Sequence, residues 1–151
     1  MALYLAQHGR AYSEVEDPER RLTPEGVAET ERVARLLAAS GVRLLEVVHS
    51  GRARARQTAE IFARFLGGSV READGLGPND DPSIWASRAG GLAGDVMLVG
   101  HLPHLSRLLS LLVVGDASRE VLRFRYSGVV KLEAAGGRWE VVWYVTPEVA
   151  P

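Results

Sequence analysis

Three short apolar runs, at residues 2–6, 44–48 and 95–99, each end at or just before a histidine and are each followed by a helical pattern. An apolar run of about five residues bounded by polar ones suits a strand buried on both faces. Repeated strand–helix–strand order makes such strands parallel, because a right-handed crossover is needed to pack the helix back onto the sheet. Thr23-Pro24-Glu25 reads as a helix start: a Thr cap, Pro in the first turn, and a carboxylate against the positive end of the helix dipole. Val27, Thr30, Ala34 and Leu37 follow at helical spacing, and Gly41 is a fitting stop.

A second helix is expected over 53–66, with Ala55, Ala59, Phe62 and Leu66 on one face, and a third over 103–114, with Leu105, Leu108, Leu109 and Leu112 inward. Between them lie a short strand at 69–72, a loop rich in Gly, Pro and Asp at 73–81, and a short helix at 82–88. The period then switches. Residues 128–133 and 138–145 are β-rich and are joined by Ala134-Ala135-Gly136-Gly137, a hairpin signal. The expected fold is a three-layer α/β/α sandwich with a mostly parallel mixed sheet and a C-terminal β-hairpin. No repeat or linker divides the chain, so one domain over residues 1–151 is expected.

Composition narrows the chemistry. The chain has no cysteine, which removes disulfides, thiolate metal clusters and every cysteine-nucleophile mechanism. With 18 basic and 19 acidic side chains the net charge is −1, so any anion site must be local. That balance, and the absence of aromatics among the arginines of 52–56, argue against nucleic acid. The longest apolar run, near 108–114, is too short to span a bilayer. The N-terminus runs straight into a strand pattern rather than a signal peptide, so a cytoplasmic protein is expected.

In a parallel sheet, ligands bind beyond the carboxyl ends of the strands. Those ends carry Gln7-His8-Gly9, then His49-Ser50-Gly51-Arg52-Ala53-Arg54, then Gly100-His101-Leu102-Pro103-His104. His8, Arg54 and His101 are thereby expected in one crevice. Imidazoles and guanidinium without Cys, a serine triad or a zinc-type motif point to phosphate, which guanidinium grips with paired, charge-assisted hydrogen bonds. An unprotonated imidazole can attack phosphorus, and helix N-termini add backbone donors. Carboxylates do not accompany the histidines at ligand spacing, so neither a metal nor another cofactor is expected. His49 reads as a strand-end residue bonded to backbone, His104 as peripheral or solvated, and Ser50 as a residue that shapes its turn.

These residues resemble the histidine phosphatase superfamily, the phosphoglycerate-mutase-like proteins, and within it the small SixA-type phosphohistidine phosphatases. The resemblance rests on 3–9, on 17–26 (Asp-Pro-Glu-Arg-Arg-Leu-Thr-Pro-Glu-Gly), on 50–59 (Ser-Gly-Arg-Ala-Arg-Ala-Arg-Gln-Thr-Ala) and on 99–103 (Val-Gly-His-Leu-Pro). It implies that His8 is the phosphorylated nucleophile, that Arg54 holds the phosphoryl group and that His101 is the second pocket histidine. It implies a further phosphate-facing arginine at Arg20, with Gln7 and Gly9 completing the phosphate-binding set. The substrate implied is a phosphohistidine-containing protein or a small phosphorylated molecule.

One departure matters. The superfamily's first motif is usually Arg-His-Gly, and here Gln7 brings a hydrogen bond without charge. Arg20 or Arg10 is expected to compensate. Larger members that cleave phosphoesters carry a donor acid on an inserted region, which is compressed here to 75–81 and leaves Asp80 and Asp81 as candidates. The plainer reading is that Asp81 or Asn79 caps the helix starting at Pro82. A protonated imidazole leaves phosphorus with less help than an alkoxide does, so the compressed loop favours phosphohistidine. The alternatives are a sugar-type phosphomonoesterase and a catalytically weak phosphohistidine-binding module.

Overall fold

The computed structural model describes residues 1–151. Its elements run β1 (Ala2–Gln7), α1 (Pro24–Ala39), β2 (Glu46–His49), α2 (Ala53–Leu66), β3 (Ser69–Glu72), α3 (Ser83–Ala89), β4 (Val96–Gly100), α4 (His104–Val114), β5 (Val129–Ala135) and β6 (Arg138–Val145). One six-stranded sheet has the order β3-β2-β4-β1-β5-β6. β1, β2, β3 and β4 are parallel, whereas β5 runs antiparallel to β1 and β6 antiparallel to β5. No helix is long and apolar enough to cross a membrane.

The two central strands explain why their sequences are apolar without a break. Along β1, Tyr4 and Ala6 enter one core while Leu3 and Leu5 enter the other. Along β4, Met97 and Val99 alternate with Val96 and Leu98 in the same way. α1 and α2 cover the first face through Val33, Leu37, Ala59 and Phe62. α3 and α4 cover the second through Trp85, Leu105, Leu108 and Leu109. A fully buried leucine of this kind contributes about 1.5–3 kcal/mol of transfer free energy. The expected three-layer sandwich is therefore the observed one.

The boundaries shift where backbone partners decide them. β2 starts at Glu46, because Leu44 and Leu45 donate their N–H groups to Leu66 and Asp95 carbonyls instead of a strand ladder. β5 continues through Ala135, so the turn narrows to Gly136-Gly137, both at positive φ. Thr23 caps α1 as expected, its hydroxyl accepting the Gly26 N–H at 3.0 Å. His104 differs from expectation. It is fully buried at the start of α4, and neither ring nitrogen has a hydrogen-bond partner.

Candidate active site

Register brings the two histidines together. Gln7 of β1 pairs with Gly100 of β4, and the His8 N–H extends that ladder by donating to the Gly100 carbonyl at 3.1 Å. His8 and His101 therefore leave adjacent parallel strands at the same height, their ring centroids 5.0 Å apart and tilted by 50°. Beyond them the chain departs to opposite faces, to α1 after β1 and to α4 after β4, and this divergence opens the crevice.

The His8 ring is held by its own loop. Its Nδ1–H donates to the Gly9 carbonyl at 2.8 Å, which leaves the Nε2 lone pair free. Burial, together with the charges of Arg54 and Arg20, pulls its pKa down to about 4 against the backbone bond to Gly9, so the ring is neutral near pH 7. His101 is pushed lower still, to about 2, by burial first and then by His8 and Arg54. Its Nε2 lies 2.6 Å from the Ser50 hydroxyl, and its Nδ1 is buried without a partner.

Arg54 sits in the first turn of α2, directly after β2. Arg10, Arg21, Arg56, Arg64 and Arg71 all meet carboxylates, but Arg54 forms no ion pair, and its Nε is buried without an acceptor. Burial, then repulsion from Arg20 and Arg52, depresses its pKa, the mark of uncompensated local positive charge. Arg20 supplies part of that charge from the loop before α1. Its φ is 52°, a left-handed conformation that non-glycine residues rarely hold. Asp17 fixes it there: its carboxylate accepts the Glu19 and Arg21 N–H groups at 3.1 and 3.0 Å, and its carbonyl accepts the Arg20 N–H at 2.8 Å. Arg20 Nε donates to the Tyr12 carbonyl at 3.1 Å.

Other expected site residues serve differently. The Gly9 N–H is engaged by Thr58 Oγ1 at 2.9 Å and so is not free for a phosphoryl oxygen. This position needs glycine for space, since a Cβ would stand 2.9 Å from Thr30 Oγ1 and 3.0 Å from Ser127 Oγ. Gln7 is nine-tenths buried, lines a cleft of about 310 Å³ beside His8 with Arg10, Phe124 and Tyr126, and leaves its Oε1 unpartnered. Arg10 is tied to Glu29 at 2.9 Å and stacks on Tyr126. Of the two expected substitutes for a charge at position 7, only Arg20 acts on both His8 and Arg54.

Asp81 accepts the Ser83 N–H at 2.9 Å from one residue outside the expected place, because α3 starts at Ser83 and its N-cap position is Pro82, which has no side-chain cap. Asp80 accepts the Gly77 N–H at 2.7 Å and lines a second cleft with Ser50 and Arg52. His49 takes the Gly51 N–H on Nδ1 at 3.0 Å, the backbone role expected for it. Gly51 itself is at φ 92°, the left-handed turn that leads the chain into α2.

Three site residues escaped the sequence reading. Tyr126 packs on His8 with ring centroids 5.7 Å apart. Ser127, at φ 60°, donates its N–H to the Gln7 carbonyl at 3.1 Å and its hydroxyl to Thr30 at 2.7 Å. Thr58 bonds both the Gly9 loop and, through its own donor at 2.8 Å, the Arg54 carbonyl. Only Thr58 carried a signal, four residues after Arg54 and hence on the same helix face.

Comparison with known proteins agrees with this geometry. The histidine phosphatase superfamily (branch 1) matches over residues 3–77, a span that includes His8, Arg20 and Arg54. An uncharacterized protein of Picosynechococcus sp. (strain PCC 7002) is 31% identical over 146 residues, covering 91% of this chain and 88% of its own. The solved structure of SixA from Agrobacterium tumefaciens superposes with a TM-score of 0.79 at 27% identity, covering 97% of each chain. A protein histidine phosphatase SixA complexed with tungstate reaches a TM-score of 0.84 at 24% identity, again over 97% of each chain. The fold is also shared with an alpha-ribazole-5'-P phosphatase from Escherichia coli K-12, at TM-score 0.81 and 16% identity over 97% of this chain and 98% of that one.

Proposed function

Because the chain belongs to the histidine phosphatase superfamily, and to its SixA-type members, we propose that it hydrolyses phosphohistidine on protein substrates through a phosphorylated His8. The observation that carries this reading is the pairing of a neutral His8 with a free Nε2 lone pair and an Arg54 guanidinium that has no carboxylate partner. The first is a nucleophile held ready; the second is a cation awaiting an anion.

In the proposed reaction the phosphoryl group lies against Arg54, Arg20 and His101. His8 Nε2 forms a bond to phosphorus as the substrate's P–N bond breaks, and the bonding pair returns to the leaving imidazole, which departs neutral from the phosphoimidazolium form, protonated on its other nitrogen. Water then attacks the phospho-His8 phosphorus, its proton passing to a phosphoryl oxygen of the departing phosphate, and the breaking bond restores the lone pair to His8. Arg54, Arg20 and His101 face the equatorial oxygens, where negative charge is held in both steps; one such donor is worth roughly 3 kcal/mol. Neither step calls on a carboxylic acid, consistent with Asp80 and Asp81 accepting backbone N–H groups. Neither step calls on a metal.

The test offers the protein a phosphohistidine-containing carrier protein and a panel of sugar phosphates, with and without a chelator. The reading expects turnover of the phosphohistidine protein to exceed that of every sugar phosphate, with no loss in chelator. Preferential turnover of a sugar phosphate would replace it with the phosphomonoesterase, and absence of turnover with the binding module.

A further inference from the structure

The Ser50–His101 contact goes beyond this reading and rests on it only for the identity of the anion. His101 is neutral in the resting site, since burial and the neighbouring positive charges of Arg54 and Arg52 oppose its protonation. A neutral imidazole has one proton to place on two nitrogens. Nε2 lies 2.6 Å from the Ser50 hydroxyl; Nδ1 is buried with nothing to bond.

The hydroxyl's own bonding decides the direction. Ser50 Oγ accepts the Arg52 N–H at 3.4 Å, at the turn into α2, and its single proton remains to be given. The neighbouring acceptor is His101 Nε2. If Ser50 donates there, the imidazole proton must sit on Nδ1. That leaves a buried N–H without an acceptor, as Nε of Arg54, whose charge acts on the same ring, is left without one. A buried unpaired donor is costly to the folded chain, and an incoming anion oxygen would recover that cost.

We propose that Ser50 is a positioning residue that fixes the tautomer of His101, donating to Nε2 so that Nδ1–H is presented to a phosphoryl oxygen. Without it the ring is free to carry its proton on Nε2 and turn a lone pair toward the anion, converting attraction into repulsion. The sequence reading gave Ser50 only its turn; the geometry links that turn to the second histidine.

The experiment is nitrogen-15 NMR of the imidazoles in the full chain, with inorganic phosphate as the probe. The expected result is His101 protonated at Nδ1 in wild type, a downfield shift of that proton on adding phosphate, and both features lost in Ser50→Ala. Ser50→Thr, which keeps the hydroxyl, restores them. With the phosphohistidine protein, Ser50→Ala is expected to lower kcat about 10- to 100-fold with a smaller change in KM, and Ser50→Thr to recover most of it. Wild-type His101 protonated at Nε2 overturns the proposal without any variant. So does Ser50→Ala with an unchanged tautomer. The NMR result does not depend on which phosphorylated substrate is turned over, so its failure is separable from failure of the functional reading.

Discussion

The hydroxyl of Thr58 accepts the N–H of Gly9 at 2.9 Å while donating to the carbonyl of Arg54 at 2.8 Å. One side chain thus ties the loop that carries the nucleophile to the helix turn that carries the phosphate-binding arginine. Thr58 is itself fully buried, so neither partner has water as a substitute. Thr58→Val keeps the shape and removes both bonds. We expect a loss of about 1–3 kcal/mol in denaturant unfolding and at least a tenfold fall in kcat/KM. Unchanged activity in a destabilised variant would mean that Thr58 serves the fold alone.

Arg54 gives the opposite pattern. Its guanidinium is half-buried, has no carboxylate partner and leaves its buried Nε without an acceptor, a cost to the folded chain that a bound anion offsets. Arg54→Met should lower kcat/KM by about 10²- to 10³-fold while leaving thermal stability equal or higher. Inorganic phosphate should raise the Tm of wild type and not that of the variant.

Asp17 acts on the site through Arg20. Asp17→Ala removes the carboxylate that holds the Glu19 and Arg21 amides, and so releases the left-handed Arg20 between them. Steady-state kinetics should show KM raised several-fold, with kcat less affected. An unchanged KM would place Arg20 outside the phosphate contacts.

Acidification tests the buried imidazoles. His8, His101 and His104 all have pKa values lowered mainly by burial, so the unfolded chain takes up protons from about pH 6.5 downward that the folded chain resists. Stability from these groups is fully present above that pH and is lost as pH falls toward about 4, the value for His8. His104 separates this effect from catalysis, because its ring is buried and unpartnered beside the site. His104→Leu should stabilise the protein by about 1 kcal/mol at pH 7 and flatten the decline with acid, as read from urea midpoints at several pH values.

The parts of this molecule legible in its sequence are those set by local rules. The three parallel strands β1, β2 and β4, the Thr23 cap and the helices on either side follow from apolar period and cap chemistry, and parallel pairing then brings His8 and His101 to one edge. What could not be read depends on contacts distant in sequence. Tyr126 and Ser127 lie in an irregular segment with no period, and reach the site only because β5 pairs with β1. His104 looked solvated because one polar residue at a helix start ordinarily is; it is buried because it lies with Leu105, Leu108 and Leu109 on the inward face of α4. Ser50 belongs to a recognisable run, but its bond to His101 spans 51 residues and follows from the adjacency of β2 and β4.

The central claim is that His8 is the residue that becomes phosphorylated. Incubating the protein with a phosphohistidine carrier labelled on the phosphoryl group, quenching within one turnover and mapping the label by mass spectrometry tests it directly. The account predicts an acid-labile phosphoryl group on His8, absent from His8→Asn, with hydrolysis abolished in that variant. Label on any other residue, or full hydrolysis by His8→Asn, would contradict it.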